Sequence, residues 1–194
     1  MIGAIQHVDA ARVGRVGVID PAIVALPEGT SVELDILNIF AQGNAPEMSF
    51  TFKHGGFSAK TAEVEGKEIE LAKYITEKQI DTRLPLVANY SGAMVNVSIK
   101  SIDEATGEVS FYAPLVAGVE YKLAGALGNY SQAFADGAGF GGTDQYSCNC
   151  ILNYLYGDLE GKKTGGFTGP VTFGEIAYIL LNQTLVRLDI DSAA

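Results

Sequence analysis

Basic side chains are scarce in this sequence: 13 Lys and Arg face 23 Asp and Glu, leaving a formal net charge of −10. The summed field repels phosphate backbones and anionic headgroups, so neither nucleic acid nor a membrane is an expected partner. Nowhere do the roughly 20 consecutive apolar residues of a bilayer-crossing helix occur; runs such as residues 176–181 are short and flanked by polar side chains. The opening Met1-Ile2-Gly3-Ala4-Ile5-Gln6-His7 lacks the basic start, long apolar segment and small-residue cleavage site of a secretory signal, which makes the cytoplasm the expected compartment.

Metal-ligating and nucleophilic residues are equally few. Besides its acids the chain offers His7, His54, Cys148 and Cys150, too sparse a set to indicate a metal or haem centre, and no cofactor is expected. The single residue between the cysteines makes a mutual disulfide awkward, so both are expected as reduced thiols. No nucleophile elbow, zinc-protease helix motif or kinase signature is present. The glycine-rich residues 137–142 lack the following helix and the Lys of a phosphate cradle and read as a loop. The chain is therefore not expected to be an enzyme, the alternative being a cysteine thiolate activated in space by His54.

What is present is core-forming material. Apolar residues make up 47% of the 194 positions and charged ones 19%, and a chain of this length buries about 70% of its unfolded surface. Period-2 alternation marks a strand through Val32, Leu34 and Ile36, and shorter strands are expected over residues 13–19, 145–148 and 184–190. Residues 48–52 and 57–64, joined by His54-Gly55-Gly56, read as a hairpin ended by Glu65-Gly66-Lys67. Ile69, Leu71, Ala72 and Ile75 then predict a helix over 68–78.

Residues 94–102, 109–113 and 119–123 predict an antiparallel meander, with Pro114 as a stop, and further helices are expected around 130–134 and 150–159. The fold class is α+β, mostly antiparallel sheet with two or three helices. A soft boundary near residue 80 would separate a strand-rich segment, 1–80, from a domain over 81–194. The first segment either stands apart or belongs to the same domain.

The most distinctive stretch is Gly166-Phe167-Thr168-Gly169-Pro170-Val171-Thr172-Phe173-Gly174-Glu175-Ile176, followed by Leu181-Asn182-Gln183-Thr184-Leu185. It resembles the closing motif of the FIST C-terminal sensory domain. Tyr146-Ser147-Cys148, Leu84-Pro85-Leu86, the return at Gly118-Val119-Glu120-Tyr121 and Val64-Glu65-Gly66-Lys67 resemble earlier elements of that family in the same order. The likeness covers residues 60–190. The chain departs from the family in having Ile151 and Leu152 where an Arg often follows the cysteine, and in being much shorter than a two-part FIST protein.

The resemblance implies a sensory domain of bacterial signal transduction. Its small-molecule ligand, an amino acid or related metabolite, would be held where Cys148, Gly174, Glu175 and Asn182 converge. Glu175 either holds a ligand's ammonium group or locks its loop by accepting backbone hydrogen bonds, and Asn182 either faces the ligand or satisfies buried backbone groups. The alternatives are a protein-interaction module that pairs with a second copy or a signalling partner, a cysteine-dependent enzyme, and a haem-binding sensor.

Overall fold

The computed structural model describes residues 31–137, 144–162, 171–173, 175–176 and 180–191. The strand expected over 13–19 and the glycine loop beyond residue 137 lie outside them. In chain order the strands begin with β1 (Ser31–Leu37), β2 (Ser49–Thr51), β3 (Gly56–Ala59), β4 (Thr61–Val64) and β5 (Lys67–Glu70), after which helix α1 (Leu71–Glu77) follows. Next come β6 (Leu86–Tyr90), β7 (Ala93–Val97), β8 (Ile99–Asp103), β9 (Glu108–Leu115), β10 (Glu120–Leu123) and helix α2 (Tyr130–Gly137). The last are β11 (Asp144–Cys150), helix α3 (Ile151–Tyr156), β12 (Val171–Thr172), β13 (Glu175–Ile176), β14 (Leu180–Leu181) and β15 (Leu185–Asp191). The arrangement is α+β, strand-rich and mostly antiparallel, with three α-helices among the described residues.

The chain divides into two compact units. The first comprises Met1–Ile39, Asn129–Ile179 and Thr184–Ala194, and the second Phe40–Gly128 and Leu180–Gln183. This division differs from a boundary near residue 80. Ile80 lies inside the second unit, packed against its core, and its amide donates to the Ile75 carbonyl at 3.0 Å.

In the first unit, β1, β15, β11 and β12 form one sheet in that order. β15 is antiparallel to both β1 and β11, whereas β12 runs parallel to β11. Leu34 and Ile36 on β1 are 38% and 41% exposed, and it is Leu37, at the end of the strand, that packs with buried Phe134, Leu159 and Leu185. Asn129 caps α2 by accepting the Gln132 amide at 3.0 Å, relieving one of the unsatisfied donors at a helix start. Gly157 closes α3 because there is no room for more: a Cβ there would lie 2.5 Å from the Tyr130 ring and 2.7 Å from the Asn153 carbonyl.

The second unit holds a six-stranded antiparallel sheet, β5-β4-β2-β10-β6-β7, and a three-stranded sheet, β3-β9-β8. Phe52 joins their interiors edge-to-face, with ring centroids 6.0 Å from Phe111 and 5.7 Å from Tyr121, a favoured aromatic geometry. Helix α1 buries Leu71, Ala72 and Ile75. It starts later than its apolar spacing predicts, because residues 67–70 pair with β4 as strand β5.

One expected hairpin and the last strand of the expected meander are rearranged. β2 pairs with β4, while the intervening β3 joins β9 in the other sheet. Gly56 at φ +136° and the close pass of Gly55, where a Cβ would lie 2.9 Å from the Leu115 carbonyl, redirect the chain between them. β8 and β9 form the expected hairpin, and β9 continues through Pro114 to Leu115. β10 leaves that meander and inserts between β2 and β6.

The crowding at Gly157 sets an expectation for stability. Gly157→Ala should cost about 1–3 kcal/mol through overpacking against Tyr130, read as a lower urea midpoint at unchanged m-value.

Candidate ligand site

A cleft of about 410 Å³ opens in the second unit, lined by Gln42, Asn89, Ser91, Gly92, Val119 and Glu120. Its rim is the two-residue connection between β6 and β7. Ser91 and Gly92 both have positive φ, 54° and 103°, the sign pattern of a type I′ hairpin turn, whose backbone twist suits antiparallel strands. Asn, Asp or Gly ordinarily fills the position Ser91 holds, so the serine sits there under backbone strain. Asn89 braces the turn, its Oδ1 accepting the Gly92 amide at 2.6 Å.

The walls are fixed from further away. Gln42 donates its side-chain amide to the Val87 carbonyl at 2.9 Å. Glu120 accepts the Ser49 hydroxyl at 2.7 Å on one carboxylate oxygen, and Lys122 Nζ stands 3.6 Å from the other. Below the rim, the Tyr90 and Tyr121 hydroxyls lie 3.2 Å apart, and Tyr121 also accepts the Val116 amide at 2.9 Å. Burial, then the hydrogen bond to Tyr90, raises the Tyr121 hydroxyl above its ordinary value of 10.0. The raised value keeps Tyr121 a neutral hydrogen-bonding group.

A second polar cluster in the same unit is entirely interior. Asn96, Ser98, Asn182 and Gln183 are each no more than 1% exposed. The Asn96 side-chain amide donates to the carbonyls of Asn182 at 3.2 Å and Gln183 at 3.3 Å. Asn182 Oδ1 accepts the Ser98 amide at 3.2 Å, and the Ser98 hydroxyl donates to Gln183 Oε1 at 2.6 Å. Gln183, at φ 44°, completes the set by donating to the Arg83 carbonyl at 2.9 Å. Arg83 is held in turn by Asp81, whose carboxylate takes its guanidinium at 2.7–3.2 Å and its backbone amide at 3.0 Å.

The residues singled out from sequence fall as follows. Cys148 is half-buried on β11, with its thiol 3.7 Å from the Thr172 hydroxyl, and it is not disulfide-bonded to buried Cys150. Glu175 lies in β13, of which the backbone is described, and β13 runs beside β11 in the first unit. Gly174 lies outside the described residues. Asn182 belongs to the second unit, where its side-chain oxygen satisfies the buried Ser98 amide. His54 is exposed in the connection from β2 to β3, and His7 lies outside the described residues. No three His, Cys, Asp or Glu side chains group as a metal site among the described residues.

The cleft residues carried one readable sequence signal. Ser91-Gly92 between two apolar alternating runs marks a hairpin turn, but Gln42 and Glu120 reach the cleft through non-local strand pairing that no local pattern reveals.

Fold and cleft together describe a strand-rich α+β protein of two units with a small polar cavity in one of them. The chain belongs to a family of unknown function (DUF6976), which matches over residues 19–191. No curated protein and no solved structure matches it. No helix among the described residues is long and apolar enough to cross a membrane.

The interior network should be measurable. Ser98→Ala removes the hydroxyl donor from buried Gln183 Oε1 and should cost about 1–3 kcal/mol. A double-mutant cycle with Gln183→Ala should return a coupling of at least about 0.5 kcal/mol, and strict additivity would refute the contact. Hydrogen bonding to Arg83 holds the Asp81 carboxyl below its ordinary value of 3.8. Its stabilisation is therefore complete above 3.8 and is lost as pH falls through the depressed folded value. Because Asp81 is partly solvated, Asp81→Asn should lower stability at pH 6 by less than about 1 kcal/mol, and the difference should vanish in acid.

Proposed function

We propose that this protein is a small-molecule-binding sensory domain, acting by binding and not by catalysis, and that the cleft at the β6–β7 turn takes the ligand. The observation that carries the reading is the strained Ser91 on the rim of an open cleft of roughly 410 Å³, a volume within the range of small-ligand pockets. A left-handed, non-glycine residue persists where its surroundings over-determine it, and such positions cluster at ligand clamps. The one ionisable side chain of the lining, Glu120, accepts from the Ser49 hydroxyl and stands near Lys122, and no His, Cys or Lys lies in the lining beside the Ser91 hydroxyl, which favours binding over chemistry. The resemblance to the FIST C-terminal domain supplies the sensory role, in bacterial signal transduction.

Ser91→Asn separates fold from function. Asparagine tolerates the left-handed region, so the variant should be more stable by about 0.5–1 kcal/mol while losing its ligand. A metabolite panel scored by thermal shift should yield a compound that adds about 2.7 kcal/mol at 100 times its dissociation constant. If wild type and Ser91→Asn respond identically to every compound, the cleft is not the site.

A second reading, a protein-interaction module, is favoured by the exposed Leu34 and Ile36 on β1, the outer strand of its sheet among the described residues. An outer strand with apolar side chains can pair with another chain. Light scattering would then give a dimer that Ile36→Lys converts to monomer, and a monomeric wild type would remove this reading.

A further inference from the structure

The hydrogen-bonding inventory of the cleft narrows what can occupy it. Gln42 commits one of its two amide N–H groups to the Val87 carbonyl and keeps the other, a donor, together with its amide oxygen, an acceptor. Asn89 has its oxygen committed to the Gly92 amide and keeps its nitrogen, a donor. The Ser91 hydroxyl serves either way. Glu120 contributes acceptor capacity alone and is the single formally charged residue of the lining.

The surrounding face has the same sign. Residues directly opposite one another on neighbouring strands share a face of the sheet, and register places Glu120 opposite Thr51, Thr51 opposite Glu63, and Glu63 opposite Glu68. Against these three carboxylates stand Lys53, ion-paired with Glu68, and Lys122, near Glu120. A carboxylate-bearing ligand would meet Glu120 with no unshared cation in the lining, inside a chain whose net charge is −10.

Resting on the cleft as the binding site, we propose that its ligand is a small primary amine without a carboxylate, such as an amino alcohol or diamine. The ammonium sits on Glu120 where Lys122 now stands nearby, the methylene stem lies against Val119, and a second polar group meets Gln42, Asn89 and Ser91. Decarboxylated amines are thus preferred over the parent amino acids.

The test uses the whole chain, isotope-labelled, titrated separately with ethanolamine, putrescine, glycine, glucose and succinate while amide shifts are followed. Ethanolamine or putrescine should perturb residues 89–92 and 119–120 and bind more tightly than glycine, glucose or succinate. Glu120→Gln keeps an acceptor for Ser49 and should weaken the amine about tenfold or more, as loss of a charge-assisted hydrogen bond does. Lys122→Met removes the competing cation and should tighten it. Raising the salt should weaken it.

Tighter binding of glucose, glycine or succinate at the same residues, or an amine affinity unchanged in Glu120→Gln, would overturn the amine assignment while leaving the cleft as a binding site. Silence of residues 89–92 and 119–120 toward all five probes would overturn both.

Discussion

The second unit is held by a hydrogen-bond set among the buried side chains of Asn96, Ser98, Asn182 and Gln183. Asn182 and Gln183 arrive from a distant part of the chain and place two carbonyls, an amide oxygen and a full glutamine side chain against buried Asn96 and Ser98 and the backbone carbonyl of exposed Arg83. Buried polar groups are costly unless matched. The segment Leu180–Gln183 therefore has one alignment that satisfies the set, and a one-residue slip would strand several donors and acceptors together. Apolar packing of Leu180 and Leu181 adds affinity for the site, and the amides fix its register.

That constraint connects the interior to the cleft. Asn96 lies on β7 directly opposite Val87 on β6, and Val87 is the residue whose carbonyl positions Gln42. The strand pair that carries the Ser91-Gly92 turn at one end is thus anchored along its length by the network at the other. Of the polar side chains that line the cleft, Gln42 and Asn89 are each tied by a hydrogen bond to backbone, and Glu120 accepts from the Ser49 hydroxyl. Such support is what keeps a binding geometry from relaxing.

Much of the local structure was legible in the sequence, and most of the pairing was not. Helix α1 announces itself through the spacing of Leu71, Ala72 and Ile75, and β15 through the alternation of residues 185–190. The hairpin of residues 48–64 misled because glycine turns signal a reversal without saying which strand receives the chain. Here β3 goes to β9 and β4 returns to β2. In the same way Asn182 stands out in sequence through its place in the FIST-like closing motif, which fits a ligand group and an interior hydrogen-bonding group equally. Its partner Ser98 lies 84 positions away, a separation that composition and periodicity do not register.

The order in which the molecule can be completed follows from where Gln183 finds its acceptor. Gln183 and the Arg83 carbonyl are 100 residues apart, so on the ribosome the body of the second unit has emerged well before the tetrapeptide that finishes it. Until then Ser98 lacks the Asn182 and Gln183 side-chain oxygens that its amide and hydroxyl meet in the finished unit. The first unit's α2, α3 and β11 are translated during that wait, so the two units cannot mature strictly one after the other: the earlier must remain open while the later is made. Contacts of such long sequence separation are slow to form, and an unfinished core is a state exposed to wrong association in a crowded cell.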